Sequence, residues 1–352
     1  MTGLALNSIG ILPPGALGVA FAAHLSDGFR QLDGLALLAR SESRSAAALG
    51  AQSDLLIEQA GGVRARRMPP RLPPLPDLGE APPPSVILAA PLPDQLFGVL
   101  RDLVAWLSAA VERAGWEAVA PQVPVVVVAS NGIYFQRLRR SYLELLEEAV
   151  MLGSLPDLWP DRMPLLIGRL IRGVTLQTGL RTGEGAKAVY RPGPPGLTTL
   201  VGGDAAVREA VERLLAGRGM RLQQGGDASP TRIEFDKALV NLAGNLFGQI
   251  HCLDGRGRFA RLTIGEIHQR VGREETLRLV RHVVAIGQAI RIYPADFDPE
   301  DAYRYLERLS REHADHVPSG VQLLEAQLAR GSLRAEVPST EGWLLNPLLN
   351  YA

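Results

Sequence analysis

The 352-residue sequence has one cysteine, Cys252, few aromatic residues (5%) and no excess of either charge, since 37 Lys and Arg balance 37 Asp and Glu. Each scarcity excludes something. A single thiol cannot build an internal disulfide framework and fits a reducing compartment. Balanced charge offers no attraction to a polyanion, so nothing points to nucleic acid. The longest unbroken apolar runs, such as VPVVVVA at 123–129, are far shorter than the roughly 20 residues a bilayer-spanning helix needs. No basic stretch precedes an apolar core near the start, where the first basic residue is Arg30. The expectation is a cytoplasmic protein with no membrane partner. The six histidines show no metal-ligand spacing. His313 and His316, in REHADH, read as a solvated helix end, and no metal site is expected.

What is present is an alternation of strand and helix signals. SIGIL at 8–12, GLALLAR at 34–40, SVILAAP at 85–91 and VPVVVVASNG at 123–132 are short apolar runs. GALGVAFAAHL at 15–25 and the amphipathic stretch at 94–114 lie between them as helices. That order predicts a parallel, doubly wound sheet. The proline-rich MPPRLPPLPDLGEAPPP at 68–84 predicts an extended loop without regular structure. Strand-like segments fill 163–204, and a helix follows at 204–219 with Asp204 as its N-cap. Beyond residue 231 only helical patterns remain, which predicts domains at 1–228 and 229–352.

The turn after the first strand approximates the dinucleotide fingerprint G-x-G-x-x-G. Gly15 and Gly18 occupy its second and third places and Pro13 takes the first. Alone, the motif fits an ordinary strand-to-helix turn as well. If it binds a pyrophosphate, Pro14, Gly15, Ala16, Leu17 and Gly18 form the cradle at the helix N-terminus. The second strand ends in LLARSESR at 37–44, where an NAD site usually carries an acid. Here Arg40, Ser41 and Arg44 suit a 2′-phosphate through charge-assisted hydrogen bonds. The expected cofactor is therefore NADP, although a solvated loop with two arginines would look the same.

EFDKALVNLAGNLFGQI at 234–250 sets Lys237, Asn241 and Asn245 at i, i+4 and i+8, one stripe of a helix. Asparagine is a poor interior helix residue because its amide competes for backbone hydrogen bonds. Two of them aligned with a lysine, among leucines, call for polar partners or a ligand. A wet surface stripe is the plain alternative.

Together ILPPGALGVAFAAHL, VVVVASNG, RGVTLQTG, DKALVNLAGN and STEGWLLN resemble, in order and spacing, the ketopantoate reductase family. The resemblance implies an α/β fold: an N-terminal Rossmann-like doubly wound sheet domain followed by an all-helical C-terminal domain. It implies NADPH-dependent reduction of a small 2-oxoacid, by default 2-dehydropantoate to pantoate. Lys237 resembles the family's catalytic lysine, which protonates the carbonyl oxygen. Asn241 and Asn245 resemble the amides that hold substrate oxygens, and Asn131 the asparagine near nicotinamide and substrate. Glu341 resembles the acid that hydrogen-bonds the substrate hydroxyl. Ser319 resembles a substrate-binding serine, with a longer stretch to Glu341 than the family has. A homodimer through the helical domain is also implied. The chain departs from the pattern at Pro13, at Leu92, where a lysine is usual, and at His282, where an acid is usual. Two alternatives stay open: a related reductase of another keto acid or imine, and a non-catalytic NADP-binding sensor.

Overall fold

The apolar runs near the start become strands that are buried along nearly their whole length, as parallel strands covered on both faces must be. In the computed structural model, which describes residues 5–41, 49–50, 52–59, 61–183, 185–329, 331 and 339–352, the chain divides into two compact units. One comprises Met1–Ser130 and Phe135–Pro230, the other Asn131–Tyr134 and Thr231–Ala352.

The first unit carries an eight-stranded sheet. Its strands are β1 (Ile9–Leu12), β2 (Leu35–Leu38), β5 (Arg71–Leu72), β6 (Val86–Ala89), β7 (Val125–Val128), β8 (Leu170–Thr175), β11 (Leu197–Val201) and β12 (Arg221–Gln224). Their spatial order is β5-β2-β1-β6-β7-β8-β11-β12. The run from β5 to β8 is parallel, and β11 turns antiparallel against β8. Strand order reverses at β1, flanked by β2 and β6. A doubly wound sheet opens its ligand crevice at such a reversal, beyond the carboxyl ends of the strands. The expected Rossmann-like sheet is therefore present.

Helices α1 (Ala16–Leu25), α2 (Leu96–Ala114), α3 (Phe135–Met151), α4 (Arg162–Gly168) and α5 (Ala205–Ala216) belong to this unit. Asp204 caps α5 as predicted, its carboxylate accepting the Val207 N–H at 3.1 Å. Two features differ from the sequence expectation. The proline-rich segment holds the short strand β5 and a single 3-10 turn at Leu75–Leu78, since proline is tolerated at an edge strand and in the first turn of a helix. A second sheet also forms, in the order β4-β3-β10-β9, from β3 (Asp54–Gln59), β4 (Gly62–Arg67), β9 (Gly179–Thr182) and β10 (Val189–Pro192). It packs on α1, where Gly179 meets Ala16 and Ala20.

His24, in the last turn of α1, donates from Nε2 to the Gly193 carbonyl at 3.0 Å. Burial lowers its pKa below the ordinary value of 6.5, the carbonyl contact opposing. A histidine lowered in the folded state contributes full stability above 6.5. As pH falls, the unfolded chain takes up the proton first and stability declines until the folded pKa is reached. The urea midpoint should therefore drop as pH falls below the ordinary histidine value of 6.5, and His24→Gln should flatten that slope.

The second unit is helical. Helix α6 (Pro230–Asn241) continues through a π turn at Leu242–Leu246 into a last stretch at Phe247–His251. It is followed by α7 (Ile264–Ala289, kinked at Gly272), α8 (Pro299–Glu312), α9 (Ser319–Ala329) and α10 (Ser339–Tyr351). Thr263 and Glu266 start α7 with a reciprocal capping box, and Asp298 caps α8. Phe235, Leu239 and Leu242 from the α6 segment pack with Leu277, Val280 and Val284 of α7, Leu306 of α8, and Leu344 and Leu348 of α10. Cys252 is fully buried in a smaller cluster with Phe247, Ile267 and Val321. One polar cluster pins the start of α6. Arg232 Nε donates to Asp236 Oδ2 at 3.1 Å and Tyr293 Oη–H donates to Asp236 Oδ1 at 2.9 Å. The Arg232 guanidinium lies 4.2 Å from the Tyr293 ring centre. Burial pushes Asp236 up while Arg232 and Tyr293 oppose it. Among the described residues no helix is long and apolar enough to cross a membrane, and no group of three or more His, Cys, Asp or Glu could hold a metal ion.

Candidate functional site

The turn from β1 to α1 is fixed by its own backbone. The Leu12–Pro13 peptide is cis, the Gly15 N–H donates to the Pro13 carbonyl at 2.8 Å, and the Val19 N–H donates to the Gly15 carbonyl at 2.8 Å. That last bond opens the helix, so the amides of Ala16, Leu17 and Gly18 have no acceptor within it. They form the positive end of α1, suited to an anion. Gly15 has φ −78° and ψ −168°, a conformation open to other residues. Gly18 is different. A Cβ there would lie 2.4 Å from the Pro13 carbonyl oxygen and 2.9 Å from Ile11 Cγ2. The third fingerprint glycine thus packs helix on strand, and Pro14 beside it is buried. Gly18→Ala should cost about 1–3 kcal/mol of stability and weaken dinucleotide binding. Chemical denaturation and a fluorescence titration would check both.

At the end of β2 Arg40 is half-buried, and its buried Nε has no hydrogen-bond partner among the described residues. Ser41 is committed elsewhere: its Oγ–H donates to Asp102 Oδ2 at 3.0 Å, in α2. Arg44 lies outside the described residues. Leu92 is 46% exposed, a surface leucine with no charge.

In the second unit Asn241 and Asn245 are buried at 8% exposure each, and Lys237 is half-buried. The stripe is not the plain α-helical one expected, because Asn245 stands inside the π turn. Such turns occur frequently at functional sites. The turn accommodates the start of α9: Asn245 Oδ1 accepts the Gly320 N–H at 3.1 Å and the Ser319 hydroxyl at 3.3 Å. Asn245 and Ser319 are therefore in direct contact, with the Asn245 amide NH2 as its remaining donor. Asn241 Nδ2 is buried and has no partner among the described residues. Lys237 adds an ammonium donor on the same helix. Such a set offers donors and asks for an acceptor-rich ligand.

Asn131 reaches this unit through a tight link. Ile133 N–H donates to the Trp343 carbonyl at 3.0 Å, and the Tyr134 and Trp343 rings meet edge to face at 6.3 Å. Gly132 has φ +138°, where a Cβ would also press on Tyr134 and Trp343. Trp343 belongs to α10, as does Glu341, so the backbones at Asn131 and Glu341 are anchored at one corner. The Glu341 side chain lies outside the described residues. His282 is exposed on α7.

His316 is not on a solvated helix end. It is half-buried beyond α8, and its carbonyl accepts the Ile264 N–H at 2.8 Å. Burial lowers its pKa, helped by the neighbouring charges of His313 and Lys237. His313 itself is exposed, as expected. Sequence reasoning also passed over Asp102, although an aspartate in the apolar stretch FGVLRDLVAW carries a signal of its own.

No family model matches the chain, and no curated protein sequence does. Solved structures do resemble it. A D-mandelate dehydrogenase complex with NADH is 15% identical, with 98% of this chain and 91% of that one covered at a TM-score of 0.61. A ketopantoate reductase from Ralstonia eutropha JMP134 is 14% identical, covering 98% and 91% at 0.55. A probable 2-dehydropantoate 2-reductase from Bacillus subtilis is 14% identical, covering 98% and 100% at 0.52. The chain shares the fold of the ketopantoate reductases, a Rossmann-type sheet followed by helices, as the sequence motifs led us to expect.

Proposed function

We propose that the chain is a nicotinamide-dependent reductase of a small 2-oxoacid, with NADPH as cofactor and 2-dehydropantoate as the default substrate. The observation that carries this reading is the donor set on the α6 segment, above all the buried, unpartnered Nδ2 of Asn241. An amide left unpaired in a core costs stability unless a ligand uses it. A 2-oxoacid offers Asn241 what it lacks, a carboxylate or carbonyl oxygen to accept from its amide.

In this reading the amides of Ala16, Leu17 and Gly18 and the Arg40 guanidinium hold the dinucleotide, and the bound cofactor supplies hydride. Lys237 holds the proton that the carbonyl oxygen takes as negative charge develops on it. Asn241 and Asn245 fix the substrate oxygens from the same helix, with Ser319 holding the Asn245 amide in orientation. Asn131 and Glu341 take the roles their resemblance implies, next to nicotinamide and on the substrate hydroxyl. Dimerisation through the helical part belongs to the same reading.

A second reading keeps the chemistry and changes the acid. Leu92 puts an apolar side chain where a cation is usual, and the D-mandelate dehydrogenase likeness suggests an aryl 2-oxoacid. The test is steady-state oxidation of NADPH and NADH with a panel of branched, linear and aryl 2-oxoacids and a cyclic imine. The reading expects turnover on at least one 2-oxoacid, and relative kcat/KM assigns the side chain. Binding of NADPH without turnover on any member would favour the sensor alternative.

A further inference from the structure

The end of β2 presents two opposed groups. Arg40 offers a guanidinium whose buried Nε has no partner among the described residues. One residue on, Ser41 ties the chain to a carboxylate from a distant element: Asp102, 9% exposed, accepts the Ser41 hydroxyl at 3.0 Å. No ion pair joins Asp102 to a described residue. A carboxylate buried without a cation is costly, so its retention beside a ligand-facing turn asks for a reason.

Dinucleotide sites of this sheet type read the adenosine ribose at the end of the second strand. An acid accepts the ribose hydroxyls, and a guanidinium takes a 2′-phosphate. Here the strand itself ends in the guanidinium, and the acid arrives from α2. The hydroxyl that would have served a phosphate is spent on that acid.

We propose that Asp102, held at the end of β2 by Ser41, is a cofactor-specificity residue: its carboxylate opposes a 2′-phosphate there and accepts a ribose hydroxyl instead. The choice between the two dinucleotides is then a balance between Arg40 and Asp102, and the unmodified protein takes both. The proposal rests on the nicotinamide-dependent reading above and replaces its preference for NADPH with the use of both dinucleotides.

The test is binding, read by ligand-induced fluorescence change, so that it does not depend on finding the substrate. The unmodified protein should bind NADPH and NADH within about tenfold of each other, since like charge facing the phosphate offsets the Arg40 contact. Asp102→Asn keeps the size and the Ser41 bond while removing the charge. It should tighten NADPH and weaken NADH, moving their ratio by about tenfold or more. Arg40→Ala should move the ratio the other way. A ratio unchanged in Asp102→Asn overturns the proposal and leaves the reductase reading standing. Should that variant fail to fold, 2′,5′-ADP and 5′-AMP, which differ only in the 2′-phosphate, are compared on the unmodified protein. Affinities within about tenfold support the proposal, and a preference for 2′,5′-ADP of more than about tenfold overturns it. If neither dinucleotide binds, the nicotinamide reading falls and this inference with it.

Discussion

Lys237→Ala lowers kcat by about 10²–10⁴-fold and leaves the dissociation constant of the dinucleotide unchanged. The magnitude follows from the role. A positioned acid contributes about that factor to a proton transfer, and alanine cannot stand in for an ammonium. Cofactor binding is spared because the groups assigned to it lie in the first unit, at Ala16–Gly18 and Arg40. Helix stability should change little, since alanine is the best helix former and Lys237 is half-buried. Steady-state kinetics paired with a dinucleotide titration separates the outcomes. Loss of turnover with loss of cofactor binding would signal a structural lysine instead, and unchanged turnover would remove its assigned role.

Asn241→Leu has opposite effects on stability and activity. The buried Nδ2 has no partner among the described residues, and an unsatisfied buried group costs about 1–3 kcal/mol. Leucine has nearly the same size and no such debt, so the ligand-free protein becomes more stable by about 1 kcal/mol. The same change removes a hydrogen bond to a charged substrate group, worth about 1.5–3 kcal/mol. The specificity constant kcat/KM should fall between about tenfold and a hundredfold. Urea denaturation of the ligand-free protein and kinetics of the same preparation check both signs. A less stable variant with unaltered kcat/KM would mean that Asn241 serves the core and not a ligand.

These two positions also show how far the sequence could be read. Lys237, Asn241 and Asn245 stood out because asparagine is costly inside an apolar helix, and burial of both amides follows that logic. Their spacing alone suggested an unbroken α-helix. The π turn at Leu242–Leu246 was hidden because its cause is tertiary: the Gly320 amide and Ser319 hydroxyl that engage Asn245 lie some 75 residues away. The doubly wound sheet was legible from strands buried on both faces, which read as continuous apolar runs. The second sheet was not, because β3 buries only Leu55 and Ile57 and β4 is almost wholly exposed and carries three arginines, so neither reads as a continuous apolar run.

The proline at the first fingerprint position looked like the weakest feature of the motif. The structure shows why the turn can keep its form without that glycine. The close approach is made at Gly18, whose missing Cβ leaves room for the Pro13 carbonyl. Ser41 illustrates the reverse error. Its residue type suited a phosphate, and only the fold reveals that its hydroxyl is taken by Asp102, 61 positions further along the chain. His316 was misread for a similar reason, since a histidine after a charged helix end looks solvated until the fold is seen to half-bury it.

The most direct test of the central claim is to follow the hydride itself. NADPH or NADH carrying deuterium at the transferable C4 position is incubated with the protein and each 2-oxoacid of the panel. The products are then read by mass spectrometry and proton NMR. A reductase places one deuterium on C2 of a 2-hydroxyacid, and Lys237→Ala suppresses its appearance. If neither labelled cofactor delivers deuterium to any 2-oxoacid, although dinucleotide binds, the chain does not carry out this reaction.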